Sequence, residues 1–241
     1  MSALLQPRRT RVGTLGLVCL ALANSAGCAT SYGLMQTAHT GRAGQVSVRA
    51  GIASVFNRVD GRAGHDRMTS TTAEPGVRVS LADQLDAGLA PWFGLGGAVD
   101  AKLNLVDNRA RAAFGPRISA GWAYADPSSV IGLEAGVIGS YRLWSFAEPY
   151  AGLSFANHWF LARQTTTPVE LGSRQQLAAR RGYGDGLVKT AIGVELRVSP
   201  RLRALLEYDH WFPAQNDPGD GYAFLANDVV SCSFAYHVSA D

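Results

Sequence analysis

Serine, histidine and the acids are the residues here that could do chemistry. Ser154 and His158 share one parity of an alternating run. A serine nucleophile needs its base within hydrogen-bond reach. Four strand positions separate the two by roughly 13 Å, too far for direct contact. Asp209 and His210 are neighbours, so on a strand they point to opposite faces. Ser231 and Ser233 share a face but have no assigned partner. Acyl hydrolysis is therefore the least favoured activity. Asp60, His65 and Asp66 show no recognised ligand spacing, and no His-x-Glu or His-x₃-His pair occurs, so neither metal nor cofactor is expected. Gly94-Leu95-Gly96-Gly97 has glycines enough for a phosphate loop, but no GK[ST] or helical pattern follows. It reads as a tight strand connection.

A larger set of charged residues falls on one parity of alternating segments: Arg49, Arg78, Asp86, Asp100, Lys102, Arg111, Arg117, Glu134, Arg142, Lys189, Glu195, Arg197, Arg203, Glu207 and Asp209. They keep company with Gly, Ala and Ser rather than with a dense run of other charges. Nine are basic and six acidic.

The segments that must position them have a period of two, as strands do. The clearest is LVKTAIGVELRVSPRLRALLEYDHWF, residues 187–212. Val188, Thr190, Ile192, Val194, Leu196 and Val198 oppose Lys189, Gly193, Glu195 and Arg197. After Ser199-Pro200, Leu202, Ala204, Leu206, Tyr208 and His210 oppose Arg203, Glu207, Asp209 and Trp211. Each run is about ten residues, enough to cross a bilayer when tilted. Similar runs lie at 46–56, 77–81, 85–93, 97–105, 110–122, 133–143, 152–159 and 224–237, giving about ten strands, with eight as an alternative. Residues 57–73 read as a long polar loop, 163–185 as a long connection with room for a short helix, and 213–221 as a loop rich in turn formers. Pro116 interrupts its run and requires a bulge or an unpaired amide position. Short connections alternate with long ones, apart from the short one near Gly94–Gly97. Trp92, Trp122, Trp159 and Trp211 end odd-numbered runs at one predicted rim, with Trp144 at the other. Such interfacial girdles suit a ring with a polar edge.

Composition sets outer limits. The 241 residues are 47% apolar, too apolar for disorder, and only Lys102 and Lys189 are lysines. The net charge of +3 comes from Arg8, Arg9 and Arg11. Residues 28–241 carry 19 basic and 19 acidic residues. No basic patch indicates nucleic acid. The basic start, the apolar run Val12 to Ala23 and the small residues after it form a signal peptide, residues 1–27. With Cys19 lost and Cys28 modified, only Cys232 remains, which excludes a disulfide framework. No apolar run after the signal is long enough for a spanning helix, so a membrane location requires a closed barrel.

Ser25-Ala26-Gly27-Cys28 resembles a bacterial lipoprotein box, although Ser25 stands where the pattern prefers Leu. The resemblance implies lipidation of Cys28; plain secretion with a free thiol is the alternative. Ala29 replaces the Asp that retains such lipoproteins at the inner membrane, which leaves export to the outer membrane open. Residues 28–43 then read as a lipid-anchored tether with the N-terminus periplasmic, and 44–241 as the barrel.

As a whole, the pattern resembles small bacterial outer-membrane β-barrel proteins. The implied fold is all-β, an antiparallel up-and-down transmembrane barrel, with the lipid bilayer as partner, the charged parity lining the lumen and the molecule a monomer. Three functions follow in order. The first is a non-enzymatic envelope protein, structural or contacting a partner through its outer loops. The second is a narrow passive channel, weakly anion-favouring from its three-charge excess. The third is a lipid-acting hydrolase. In a soluble barrel the charged parity would face outward instead, so the direction of Arg197 and Arg203 separates the two architectures.

Overall fold

The computed structural model describes residues 35–61, 64–92, 96–125, 128–162, 184–213 and 223–238. Residues 1–34, where the signal peptide and the lipidated Cys28 were expected, and the connections at 163–183 and 214–222 lie outside them. The chain forms β1 (Val46–Gly61), β2 (Gly64–Ala73), β3 (Gly76–Ala82), β4 (Leu85–Trp92), β5 (Gly96–Leu103), β6 (Ala112–Ala125), β7 (Ser128–Tyr141), β8 (Ala147–Ala162), β9 (Gly184–Arg197), β10 (Leu202–Pro213) and β11 (Ala223–Val238). Neighbours in the sheet pair antiparallel, and β11 returns to β1 from Val46↔Val238 to Asp60↔Ala223. That pairing closes the sheet, and β2, which pairs with β1 alone among the described residues, extends it beyond the closed ring.

Eleven strands occupy ten positions in the wall. β2 and β3 both pair with β1 and keep one register, with Ile52↔Ala73 above and Arg49↔Gly76 below. Glu74 and Pro75 interrupt them. Proline has no N–H to give to the ladder, while the Glu74 amide still donates to the Gly51 carbonyl at 2.8 Å.

Residues 57–73 are not the loop expected from their polarity. β1 runs on to Gly61 and pairs with β2 through Gly61↔Gly64. Alternation marks a strand only where one face is apolar. Where both faces are polar the same ladder forms without that signal. The Thr-rich stretch of β2 has good strand propensity, and Ser54 and Thr71 hydroxyls meet across the hairpin at 3.1 Å. Likewise Ala147, Glu148 and Pro149, which fall between the alternating runs at 133–143 and 152–159, already belong to β8.

Pro116 sits where β5–β6 pairing ends at Lys102↔Arg117. Beyond it the Leu103 carbonyl presses on Gly115, where a Cβ would lie 1.6 Å from that oxygen, and Leu105 N–H takes Phe114 O at 2.9 Å. The irregularity accommodates a residue without an amide proton.

The apolar parity faces outward. Ile118 and Ile192 are 61% exposed, and Val99, Leu133, Leu153, Leu206 and Phe234 stand on the same outer surface. Water does not tolerate a continuous apolar band of this extent; lipid does. At the end with short turns, Trp144 and Phe146 stack with ring centroids 5.5 Å apart, and Tyr141 and Tyr236 are also exposed.

Candidate functional site in the barrel lumen

The polar parity points inward, as Arg197 and Arg203 show: Arg197 Nη2 is 3.0 Å from Glu148 Oε2, and Arg203 pairs with Glu195. Glycines on that parity let long side chains lie flat across a neighbouring strand. Arg78, Gly88 and Asp100 are in lateral register on β3, β4 and β5. The Arg78 guanidinium crosses Gly88 to reach Asp100 Oδ2 at 2.8 Å; a Cβ on residue 88 would lie 2.7 Å from Arg78 Nη2. Tyr150, Gly193 and Glu207 repeat the device on β8, β9 and β10. There the Tyr150 hydroxyl donates to Glu207 Oε2 at 2.8 Å, and a Cβ on residue 193 would lie 2.5 Å from the phenol oxygen.

Further ion pairs fill the interior. Arg117 Nη1 donates to Glu134 Oε1 at 2.7 Å, Lys102 lies 3.5 Å from Asp86, and Lys189 lies 3.7 Å from Asp209. Arg142, at the short-turn mouth, gives a hydrogen bond to Asn108 O at 2.7 Å and faces Glu148 at 3.6 Å. Burial of unpaired charge is costly, so mutual pairing is the stable arrangement.

Arg111 is a correction. It precedes β6 in an exposed bend and does not line the lumen. Two acids were missed: Glu74 and Glu148, each beside a proline and between the alternating runs, are 0% and 1% exposed. Removing Arg111 and adding these two leaves eight charges of each sign among the described lumen residues. The three-charge excess, and with it the ground for anion preference, disappears.

The aromatics divide. Trp122 and Trp144 are exposed on the outer wall and Trp159 is half-buried. For Trp92 only the backbone, paired with Gly96, is described. Trp211 is also a correction: it is 3% exposed, packs with Ala53, Val55 and Val229, and its ring lies under Lys189 Nζ at 5.2 Å. Its parity with Glu207 and Asp209 turns it inward; its place at a strand end had suggested the interface.

The main departure from expectation is at residues 35–40, within the stretch 28–43 expected as a tether. They are not a tether outside the barrel. Met35 to Thr40 is buried throughout and runs inside the lumen. Thr40 is held at the short-turn mouth, its hydroxyl donating to Asp83 O at 2.6 Å. The ring nitrogens of His39 lie 2.6 Å from Glu148 Oε1 and 3.1 Å from Ala110 O. Lys102 Nζ donates to the Thr37 and His39 carbonyls at 2.6 and 2.7 Å. Deeper still, Ala38 N–H meets Ser140 Oγ at 3.1 Å, Met35 N–H meets Glu207 Oε2 at 2.7 Å, and Arg49 Nη1 donates to Met35 O at 3.1 Å. A cavity of about 130 Å³ remains beside the segment, bordered by Arg78, Asp86, Lys102 and Glu195.

Ser154 and His158 are both buried in the lumen, and the Ser154 hydroxyl donates to Glu134 Oε1 at 2.8 Å. Its proton is thus directed into the Arg117–Glu134 pair. Among the described residues, no cluster of His, Cys, Asp and Glu could hold a metal ion.

No protein-family model matches the chain, and no curated protein matches it. Solved structures do. The translocator domain of the autotransporter NalP from Neisseria meningitidis aligns over 92% of this chain and 94% of its own, at 12% identity and a TM-score of 0.43. Neisserial surface protein A aligns over 79% and 96%, at 11% identity and 0.37. The Escherichia coli outer membrane protease OmpT aligns over 80% and 95%, at 9% identity and 0.39. The similarity is that of one closed antiparallel barrel to others, and at TM-scores below 0.5 it carries no argument. At such identities the likeness concerns the fold alone and transfers no activity.

Proposed function

We propose that this protein is a non-enzymatic, monomeric outer-membrane barrel whose lumen is closed and whose work is structural and adhesive, done through its outer connections. One observation carries the reading. The segment Met35–Thr40 occupies the lumen and is hydrogen-bonded to β3–β4, β5–β6, β7, β8 and β10 side chains or turns. A ten-stranded barrel is narrow, so a peptide inside it, hemmed by paired charges, supports a lumen closed to solute. The apolar outer band supports a lipid setting, and short turns at one end with long connections at the other support an orientation with the short turns in the periplasm. Closure of the wall by β11 on β1 supports a monomer. Alignment of the Ser154 hydroxyl on Glu134, rather than on a substrate-accessible base, speaks against hydrolysis.

Planar bilayer recording tests this directly. The intact protein is expected to be silent, and deletion of residues 35–40 to produce steady conductance. Steady conductance from the intact protein would favour the narrow channel instead.

A further inference from the structure

The cavity beside residues 35–40, on the short-turn side of the lumen, is not lined evenly. Five cations border it, Arg49, Arg78, Lys102, Arg142 and Arg203, against three acids, Asp86, Asp100 and Glu195. Each acid already has a cation: Arg78 lies on Asp100, Lys102 on Asp86 and Arg203 on Glu195. Neutrality of the described lumen as a whole hides this gradient. Adding Arg197 and Glu148, which pair at the same mouth, leaves the cations still two ahead. Hydrogen bonding is uneven in the same sense. Arg49 Nε, Arg78 Nη1 and Arg203 Nε are buried with no hydrogen-bond partner among the described residues. The other nitrogens of these three side chains are used, on Met35 O, Asp100 and Glu195.

Gln36 is the second observation. Met35, Thr37, Ala38, His39 and Thr40 each bond to the wall. The Gln36 side chain is the exception. It lines the cavity and is 6% exposed, and neither its Nε2 nor its Oε1 has a hydrogen-bond partner among the described residues. Buried polar groups are normally satisfied. A methionine would occupy the same space without that loss. Donors here outnumber acceptors: Gln36 Nε2 and three guanidinium nitrogens stand against Gln36 Oε1 alone. A water molecule can accept from one or two of them but brings no charge. An oxyanion accepts from several and offsets the cations, and guanidinium groups recognise such oxygens well. An oxyanion that also carries a hydroxyl has a proton to give to Gln36 Oε1. The cavity, about 130 Å³, is close to one that admits a single benzene, so the ligand has only a handful of non-hydrogen atoms.

We propose that this cavity binds a small oxyanion bearing one hydroxyl, of which hydrogen phosphate is the simplest, with Arg49, Arg78 and Arg203 receiving its charged oxygens and the Gln36 amide reading its O–H. The ligand enters and leaves by the short-turn mouth. Binding therefore needs no passage through the barrel and is compatible with a lumen closed by residues 35–40.

Isothermal titration calorimetry of the full-length protein in a maltoside detergent tests this. Inorganic phosphate is the probe, and sulfate is its counterpart without a proton, both at mildly alkaline pH where each is a dianion. Phosphate is expected to bind saturably at one site, about tenfold or more tighter than sulfate. Gln36→Met should weaken phosphate by that factor and bring the two anions level. Its unfolding midpoint without phosphate should hold or rise, because the Gln36 amide makes no hydrogen bond among the described residues. Arg203→Lys keeps a cation on Glu195 but removes Nε, and should weaken both anions alike. No saturable phosphate binding by the intact protein, or undiminished binding by both variants, overturns the site. Equal affinity of the intact protein for phosphate and sulfate overturns the reading of the hydroxyl by Gln36. A Gln36→Met protein that no longer folds would make the amide structural and overturn its role in binding.

Discussion

Replacing Lys102 should release the segment inside the barrel. Lys102 is 2% exposed and its ammonium group gives hydrogen bonds of 2.6 and 2.7 Å to the Thr37 and His39 carbonyls, with Asp86 at 3.5 Å. Lys102→Met keeps much of the side-chain volume but leaves two backbone carbonyls and a carboxylate without their cation. Hydrogen bonds to a charged group contribute about 1.5–3 kcal/mol each, and breaking one side of a buried pair costs about 3–5 kcal/mol. The two figures describe the same interaction, so the docked segment should weaken by about 3–5 kcal/mol. That corresponds to an opening equilibrium on the order of 10²–10⁴-fold more favourable. Hydrogen exchange reads it at the Ala38 and Met35 amides, which are bonded to Ser140 and Glu207. Their protection should fall by that factor, while amides in the centres of β7 and β8 keep theirs. Brief channel openings should appear in bilayer recordings. Unchanged Ala38 protection in Lys102→Met would show that Lys102 does not hold the segment, and the account of the closed lumen would lose its main contact.

Gly88→Val should cost roughly 1–3 kcal/mol in urea unfolding, because the new side chain displaces Arg78 from Asp100. Gly139→Ala is the control, since the nearest atom to a Cβ there is 3.8 Å away, and it should be silent. Ile192→Arg on the outer band should lower stability in vesicles by about 2–4 kcal/mol; an unchanged unfolding midpoint would argue against lipid contact at this 61% exposed position. A variant with Trp211 as its only tryptophan should resist quenching by brominated lipid, whereas one keeping only Trp122 should be quenched, following their 3% and 50% exposure.

The wall of the barrel was legible because lipid on one side and a charged interior on the other impose a period of two on β3 to β11. Arg78, Asp100, Glu134 and Glu207 could be assigned to the inside from parity alone. The signal failed where one of those two conditions was absent. In the upper half of β1 and β2 both faces are polar, so a hairpin resembled a loop. Glu74 and Glu148 lie beside prolines, in the gaps between alternating runs, where parity assigns no face. Trp211 was judged by its place at a strand end when its parity carried the answer. Residues 35–40 were not legible at all. Met-Gln-Thr-Ala-His-Thr has no periodicity, and its burial depends on partners such as Glu207, Ser140 and Glu148, which are 172, 102 and 109 positions away. Pairwise complementarity at that range leaves no local mark.

The lumen segment also constrains the order of assembly. Its partners come from near the start, the middle and the end of the chain, and the wall around it is completed only when β11 meets β1. A peptide can be enclosed by a sheet that curls around it. Threading one into a finished ten-stranded cylinder would require passing the Lys102, Glu148 and Arg142 side chains, which already reach toward one another or toward their partners inside it. The segment must therefore be in place before the final seam zips, and the sheet is built around it as around a mandrel. Such long-range closure is slow. Supplying residues 28–43 as a separate peptide to a folded, truncated barrel should restore the closed lumen poorly, and supplying it during refolding should restore it well.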